Sequence, residues 1–184
     1  MKNNQAPIVA YHRKKSGKTN YKKRLKLLLG EKPRLVIRKS NKNMIGQIVE
    51  YHPDGDKVLL TITSQELVKL GWKYGRKNIP ASYLTGLLLG KKAKDKKVKE
   101  AILDMGLQTS INGGRIYAFL KGVVEGGIQV PHNEKILPSN ERIAGQHVIQ
   151  YMSKAQGNQF AQYKKESSTL DKAFNEIKQK IIGK

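Results

Sequence analysis

Positively charged side chains are concentrated near the start of the chain, where they are spaced closely enough to follow a phosphate backbone. Between Tyr11 and Ser40 a single acid, Glu31, stands against twelve cations: Arg13, Lys14, Lys15, Lys18, Lys22, Lys23, Arg24, Lys26, Lys32, Arg34, Arg38 and Lys39. Lys and Arg bind phosphates, and unpaired bases stack on aromatic rings such as those of Tyr11 and Tyr21. This mixture predicts RNA binding, and the alternative is a solvated, disordered basic tail.

The whole chain is strongly basic. Its 184 residues include 36 Lys and Arg against 14 Asp and Glu, a formal net charge of +22. Such a charge repels itself in a compact fold unless a polyanion neutralises it, and nucleic acid fits that role best. A membrane surface fits less well, because no long apolar span and no cationic amphipathic anchor stands out. Cysteine is absent, which excludes disulfides and thiolate metal sites, and no secretory signal is visible, so a cytoplasmic location is expected.

A second basic segment surrounds the only tryptophan of the sequence. The loop 72–78 combines aromatic and cationic side chains, namely Trp72, Lys73, Tyr74, Arg76 and Lys77. We predict that this loop faces RNA, with Trp72, Lys73 and Arg76 as contacts. The alternative is that Trp72 packs in the core, as large aromatic side chains usually do.

A third candidate is Arg115, which follows two glycines at the predicted start of a helix. Backbone amides at a helix N-terminus bind phosphate, so Arg115 is predicted to contact RNA. The alternative is an ordinary loop and cap. No Walker motif is present, because no Gly-Lys-Ser/Thr follows a spaced glycine.

Enzymatic and metal chemistry find little support in the residue types. The four histidines do not pair at ligand spacing. Glu50 and Asp104 are the only acids within predicted strands, whereas a metal-dependent nuclease needs clustered carboxylates. We therefore expect no catalytic residue, no metal site and no cofactor.

The elements that position these residues follow from the hydrophobic pattern. A short helix is predicted from Tyr21 to Leu29, closed by Gly30, with Leu25, Leu28 and Leu29 on its inner face. Strands are predicted at 34–39, 43–51 and 57–63. Their connections are short and rich in turn residues, which predicts an antiparallel meander.

The second half of the chain alternates helices with strands. A short helix is predicted with a capping box of Thr63 and Glu66 and an end at Gly71. A longer helix has Pro80 in its first turn and is interrupted at Gly90. Further along we predict a strand at 101–106, a helix at 114–125, a strand at 128–130 and one helix at 139–155 with the stripe Ile143, His147, Val148 and Met152. Strand, helix and strand in this order predict a parallel unit with a right-handed crossover.

Apolar residues at helical spacing mark a final amphipathic helix, formed by Leu170, Phe174, Ile177 and Ile181 after a polar linker at 157–159 and a cap of Ser168 and Asp171. This helix either docks on the body of the protein or becomes ordered only against RNA or a partner protein. We expect the second, with Lys172, Lys178 and Lys180 toward the RNA.

These elements predict the α/β class, with a mixed sheet covered by helices on both faces. The expected division is a basic RNA-binding arm at 1–32, an α/β domain at 33–156, and a linker with an amphipathic helix at 157–184.

Several segments together resemble one protein family. In chain order they are GKTNYKKRLKLL, KPRLVIRKSNKNMIGQIVEY, ELVKLGWK with PASYLTGLL, and GGRIYAFLKGVVEGGIQVPHNEKILP. They resemble the archaeal branch of a universal family of large-subunit ribosomal proteins, the eighteenth of its series, which binds 5S ribosomal RNA. The resemblance runs from about Tyr11 to Met152. Ile79 and Gly114 depart from it at helix starts, and the segment after Ala155 matches nothing in it.

The resemblance implies a three-layer α/β/α fold related in topology to ribonuclease H but without its active site. It implies a place in the central protuberance, between 5S and large-subunit ribosomal RNA and beside neighbouring ribosomal proteins. It also implies RNA contacts by Arg13, Lys14, Lys15, Lys18, Thr19, Tyr21 and Arg24 of the arm, and by Arg34, Arg38 and Asn41 after it. To these we add Tyr11, Lys22 and Lys23, from the aromatic and charged content of the arm.

Two other functions stay open at this point. A metal-dependent nuclease of ribonuclease H-like topology is disfavoured, because the first strand offers Arg34 and Arg38 where such an enzyme needs an acid. A nonspecific DNA-compacting protein would bind duplex DNA and 5S RNA equally well.

Overall fold

A computed structural model of the protein describes residues 9–154 and 170–183. The expectations for residues 1–8, for Ala155, for the linker at 157–159 and for the Ser168 cap lie outside the described residues. The elements are helices α1 (His12–Lys15) and α2 (Tyr21–Leu28), strands β1 (Arg34–Lys39), β2 (Met44–Glu50) and β3 (Lys57–Thr63), helices α3 (Glu66–Lys69) and α4 (Ile79–Asp95), strand β4 (Ile102–Asp104), helix α5 (Arg115–Glu125), a short 3-10 helix (Glu134–Ile136), and helices α6 (Asn140–Ala144), α7 (Gln146–Lys154) and α8 (Leu170–Ile182).

The four strands form one mixed sheet in the order β3-β2-β1-β4. β1 and β2 are antiparallel, with Arg34 opposite Val49, and β2 and β3 are antiparallel with a register shift between Ile48 and Val49. β4 runs parallel to β1, with Arg34 opposite Ile102. The meander and the α/β class are confirmed.

The predicted strand at 128–130 is reduced to a single parallel bridge between Glu100 and Gln129. Two hydrogen bonds hold it, from the amide of Ala101 to the carbonyl of Gln129 at 3.0 Å and from the amide of Gln129 to the carbonyl of Lys99 at 2.9 Å. The ladder does not continue because Pro131 has no N–H to donate. The prediction of a full strand here is wrong.

One face of the sheet is covered by α4 and α5. Leu35 and Ile37 of β1 are fully buried in a core cluster with Leu89 of α4 and Phe119 of α5. Successive strand residues face opposite sides of a sheet, so the intervening residues of β1 belong to the other face. That second face carries the candidate site described below.

Helices α4 and α5 meet through glycines. A Cβ atom at Gly86 would overlap the carbonyl of Phe119, and one at Gly122 would overlap the carbonyl of Tyr83. At Gly90 a Cβ would lie 2.7 Å from the carbonyl oxygen of Val123. The two backbones are therefore in direct contact, and Gly90 lies inside α4 because α5 needs the space. The prediction that Gly90 interrupts the helix is wrong.

A second core cluster joins α8 to the body of the protein. Leu170, Phe174, Ile177 and Ile181 are buried, and they pack with residues that include Trp72, Tyr83, Leu84 and Leu87. The rings of Tyr83 and Phe174 have centroids 5.7 Å apart. The expectation that this helix becomes ordered only against a partner is wrong for this structure, since its apolar stripe already has a surface to cover.

Two of the lysines expected to face RNA on α8 contact the body instead. The Lys178 Nζ atom lies 3.5 Å from Oε2 of Glu125 and 5.2 Å from the centroid of the Tyr83 ring. The Lys180 Nζ atom donates to the carbonyl of Leu70 at 3.4 Å. Lys172 is exposed.

The predicted helix at 139–155 is two helices, α6 and α7. The break lies at Gly145, whose φ of +84° is the left-handed conformation that glycine adopts most easily. A Cβ there would also lie 3.2 Å from Pro80, so the site favours glycine for space as well. Because of the break, His147 is exposed instead of lying on the buried stripe with Ile143 and Met152.

Two further details of helix ends differ from expectation. The capping box of Thr63 and Glu66 is absent, because Thr63 still belongs to β3 and α3 is preceded by Gln65 without a side-chain cap. On α2, Leu25 and Leu29 are exposed instead of lying on an inner face. The first error concerns where β3 ends, and the second arises because local pattern does not tell which side of a short helix meets the body.

Candidate nucleic-acid interface

The described part of the basic arm, residues 9–32, forms two short helices. α2 is capped by Asn20, whose side-chain oxygen accepts a hydrogen bond from the amide of Lys23 at 3.1 Å. The Arg13 Nε atom donates to Oγ1 of Thr19 at 3.0 Å, which ties α1 to the segment before α2. The rings of Tyr11 and Tyr21 have centroids 5.0 Å apart. The arm therefore has defined local structure in which the lysines project to solvent.

A chain of ion pairs fixes α2 to the sheet. The Arg24 Nη2 atom donates to Oδ1 of Asp56 at 2.8 Å, and the Arg34 Nη2 atom donates to Oδ2 of the same carboxylate at 2.6 Å. The Arg34 Nη1 atom also donates to Oδ2 of Asp104 at 3.1 Å. Arg34 is 3% exposed, so this network lies at the base of the arm.

The electrostatics of Asp56 follow from this pairing. Partial burial alone would raise the pKa of the Asp56 carboxyl, but the hydrogen bonds from Arg24 and Arg34 outweigh it and leave the pKa below its ordinary value. The same hydrogen bond from Arg24 raises the pKa of that guanidinium, although burial opposes it. Both groups are therefore charged at neutral pH.

A groove of about 910 Å³ opens between the arm and the free face of the sheet, and we call it the arm groove. It is bordered by cations of the arm and of β1, together with Asp56 and Asp104. The cations are Arg13, Lys18, Lys23, Arg24, Lys26, Arg34 and Arg38. Arg38 is half-exposed, and its Nη1 atom donates to the carbonyls of Ile37 at 3.1 Å and Asp104 at 3.2 Å. The guanidinium is thus held in a fixed direction at the edge of the groove.

A second basic groove, of about 570 Å³, lies beyond the end of β1, and we call it the loop groove. Three separate segments form it: the β1–β2 turn, the loop before α4, and the start of α5. Its lining residues are Asn41, Lys42, Tyr74, Gly75, Arg76, Lys77, Asn78 and Arg115. The Arg115 Nη1 atom donates to the carbonyl of Lys77 at 3.4 Å, which connects two of the segments. None of these lining residues is acidic.

The structure therefore divides the predicted contacts between two grooves. Arg13, Lys18, Thr19, Tyr21, Lys23, Arg24 and Arg38 line the arm groove, and Asn41, Arg76 and Arg115 line the loop groove. Tyr11, Lys14, Lys15, Lys22 and Lys73 are exposed at the surface.

Two predicted contacts, Trp72 and Arg34, are almost fully buried. Trp72 is 1% exposed and belongs to the second core cluster, with its Nε1 atom donating to the carbonyl of Gly75 at 3.2 Å. Arg34 is buried and holds two carboxylates. Trp72 supports the loop groove through Gly75, and Arg34 lies at the base of the arm groove. Their direct contacts with RNA stay predictions.

Sequence reasoning missed several residues that build these grooves. Asp56, in the connection between the second and third predicted strands, anchors the arm. Lys42 and Lys77 complete the loop groove, and Val58 and Leu107 lie in the arm groove. Only their arrangement in space reveals them, although Asp56 is an acid in a strongly basic chain and could have attracted attention.

No group of three or more potential metal ligands occurs among residues 9–154 and 170–183. The carboxylate of Asp104 instead accepts from Arg34 and from the amide of Gly106 at 2.8 Å. Of the helices described, none combines the length and the hydropathy needed to cross a membrane.

Comparison with known proteins identifies the family. The profile described as ribosomal large subunit proteins 60S L5 and 50S L18 matches residues 8–100 and 92–133. The large ribosomal subunit protein uL18 of Methanococcus maripaludis is 44% identical over 184 aligned positions, which cover 95% of this chain and 95% of the relative.

Two basic grooves on a small α/β fold are typical of an RNA-binding protein. The chain belongs to the family of large-subunit ribosomal proteins that includes 60S L5 and 50S L18. It is a structural component of the cytoplasmic ribosome and not an enzyme.

Proposed function

We propose that this protein binds 5S ribosomal RNA and helps to attach it to the large-subunit ribosomal RNA in the central protuberance. The observation that carries the proposal is the convergence of distant cations on two grooves: residues from 13 to 38 at the arm groove, and residues near 41, 76 and 115 at the loop groove. Two separate basic sites suit a protein that holds two RNA segments, or two parts of one RNA, at the same time.

We further propose a three-layer arrangement related in topology to ribonuclease H. The strand order β3-β2-β1-β4, with three antiparallel strands and β4 parallel to β1, supports this relation. The bridge at Gln129 stands at the place of a fifth strand. α2 on one face of the sheet, and α4 with α5 on the other, would be the outer layers.

The functional division we propose keeps residues 1–32 as the RNA-binding arm and 33–156 as the α/β domain. The segment 157–184 remains the linker and amphipathic helix, with the helix serving to stabilise the domain through the second core cluster. Direct RNA contacts are assigned to the exposed and groove-lining cations, whereas Trp72 and Arg34 position them.

The proposal is tested by deleting residues 1–19 and measuring binding to the 5S ribosomal RNA of Methanococcus maripaludis. We expect the truncated protein to keep its cooperative thermal unfolding, because α1 buries no side chain. Its affinity should fall by about a hundredfold or more and its salt dependence should become shallower, since fewer phosphates are neutralised.

Two controls separate the proposal from its alternatives. A duplex DNA of similar length should bind more weakly than 5S RNA, and equal affinity would favour the DNA-compacting function. Incubation with magnesium should leave the RNA intact, and cleavage would favour the nuclease. Unchanged RNA affinity after the deletion would remove the arm from the proposed site.

A further inference from the structure

The arm groove has an apolar floor beneath its cationic rim. Leu27 of α2 reaches the groove from the arm side, and the remaining apolar residues come from the sheet and from the loop after β4: Val36, Val49, Val58, Leu103, Met105 and Leu107. Val58 is 50% exposed and Leu107 is 54% exposed. Large apolar side chains that stay open in a cleft of this size are typical of a ligand site.

Helix α2 lies across the groove from the sheet and does not close it. No residue of α2 is fully buried, and the ion pair between Arg24 and Asp56 connects the helix to the β2–β3 turn. The side chain of Tyr21 lines the same groove, so an aromatic ring stands beside the apolar floor. The sheet face is therefore open and is fixed in that state by the network of Asp56.

The charge and polarity of the groove restrict its occupant. The rim carries Arg13, Lys18, Lys23 and Arg38, and these cations favour an anionic chain. The backbone of a paired RNA helix presents phosphates and riboses, and these would lie against Val58 and Leu107 without hydrogen-bond partners, which is unfavourable. An unpaired nucleotide presents both a phosphate and an apolar base face, and so it matches rim and floor together.

We propose that the arm groove receives unpaired nucleotides of the RNA, with bases against Val58, Leu107 and the ring of Tyr21 and with phosphates on the cationic rim. This inference rests on the proposed function and adds the kind of RNA segment that the site accepts: a loop, a bulge or a flipped base. Selectivity for unpaired nucleotides then comes from the floor, and total affinity comes mostly from the rim.

The test replaces the floor and leaves every charge in place. The double variant Val58→Thr, Leu107→Ser changes two exposed side chains, and the matched control Val68→Thr, Ile182→Ser changes two others that are 49% and 50% exposed and lie outside the groove. Three probes are titrated at one salt concentration: 5S ribosomal RNA, an oligoadenylate of about twelve nucleotides carrying 2-aminopurine, and a fully paired RNA duplex of similar length. Thermal unfolding of each variant confirms that it is folded.

We expect the floor variant to bind the oligoadenylate and the 5S RNA about tenfold more weakly, with a smaller 2-aminopurine response, and to bind the duplex as the unmodified protein does. The control variant should match the unmodified protein on all three probes. The inference would be overturned if the floor variant bound 5S RNA as tightly as the unmodified protein, or if it lost as much affinity for the duplex as for the oligoadenylate. Either result would leave the proposed function intact. If the unmodified protein does not prefer 5S RNA to the duplex, the proposed function fails; oligoadenylate binding that still depends on the floor would then support only the preference of the groove for unpaired nucleotides.

Discussion

Replacing Asp56 by Asn should loosen the RNA-binding arm, although it makes the groove more positive. The carboxylate accepts from Arg24 at 2.8 Å on one oxygen and from Arg34 at 2.6 Å on the other, whereas Asn replaces one of these oxygens with an NH2 group that only donates, and it carries no charge. Arg34 would keep its hydrogen bond to Asp104. The substitution therefore separates the helix α2 from the sheet without leaving a buried cation unpaired.

The expected loss of stability follows from the solvent exposure of two ion pairs, Arg24–Asp56 and Arg34–Asp56. The side chains of Arg24 and Asp56 are 31% and 27% exposed, so that pair contributes about 0.5–1 kcal/mol. The Arg34 side chain is 4% exposed, and its charged hydrogen bond to Asp56 contributes about 1.5–2 kcal/mol. We expect a loss of about 2–3 kcal/mol in the free energy of unfolding, which corresponds to a decrease of about 4–12 °C in Tm for a domain of this size.

The difference in stability between the unmodified protein and Asp56→Asn should decrease at acidic pH. Because the pKa of Asp56 is lowered in the folded state, its stabilisation is fully present above the ordinary carboxyl pKa of about 3.9 and is lost as the pH falls through the lower folded value. The Tm difference between the unmodified protein and Asp56→Asn should thus be constant near neutral pH and shrink below about pH 4.

The matched control is Asp54→Asn, which makes the same charge change in the same turn. Asp54 is 93% exposed and lies 3.5 Å from His52. For the control we expect an unchanged Tm and equal or slightly tighter 5S RNA binding. For Asp56→Asn we expect binding about three- to tenfold weaker, together with faster tryptic cleavage in the arm, because a less organised site binds less well. If Asp56→Asn has the same Tm as the unmodified protein and binds RNA more tightly, the net charge alone determines RNA affinity and the anchoring role of Asp56 is refuted.

Three further predictions concern other parts of the molecule. Arg38→Glu should weaken 5S RNA binding about tenfold more than Lys96→Glu at one salt concentration, because Arg38 is fixed at the groove and Lys96 donates to a carbonyl of β3. Equal losses of affinity would mean that only the overall charge of the protein matters. Amides of α8 should be strongly protected in hydrogen exchange without RNA, and Phe174→Ala should cost about 3–5 kcal/mol; rapid exchange throughout α8 would contradict its docking. Gly122→Ala should destabilise the protein by about 1–3 kcal/mol or more in chemical denaturation, despite the better helix propensity of Ala, and a stabilised variant would contradict the direct contact of the two backbones.

Local signals predicted most of the sheet. The β-branched runs and short turns gave β1 and β3 with their correct bounds and β2 within a residue at each end. The errors lie where tertiary contacts override local preference. Position 90 is a glycine inside α4 because α5 leaves no space for a Cβ atom. Position 145 is a left-handed glycine beside Leu170 and Pro80, which would crowd a Cβ atom there. Neither neighbour is visible in a window of sequence.

The site was predictable in composition but not in arrangement. The cations of the arm predict an affinity for phosphate, because their density along the chain is visible in the sequence and does not depend on the fold. The pairing of Arg34 with Asp104, by contrast, depends on the register of β1 and β4, which puts Asp104 opposite Val36 and on the same face of the sheet as Arg34. The same holds for the loop groove, because turns near 41, 76 and 115 meet only after the sheet and both long helices have formed.

The second core cluster has a consequence for the order in which the protein is made. Trp72, Tyr83 and Leu87 leave the translating ribosome roughly a hundred residues before α8, which covers them. At ordinary elongation rates this interval lasts about 5–20 s. By the end of that interval the nascent chain carries α1, α2 and the four described strands, while an apolar surface beside α4 is still uncovered. A chain released before residue 170 would keep the RNA-binding grooves and lose the cover of that surface, so interrupted synthesis should yield a product that still competes for RNA but aggregates.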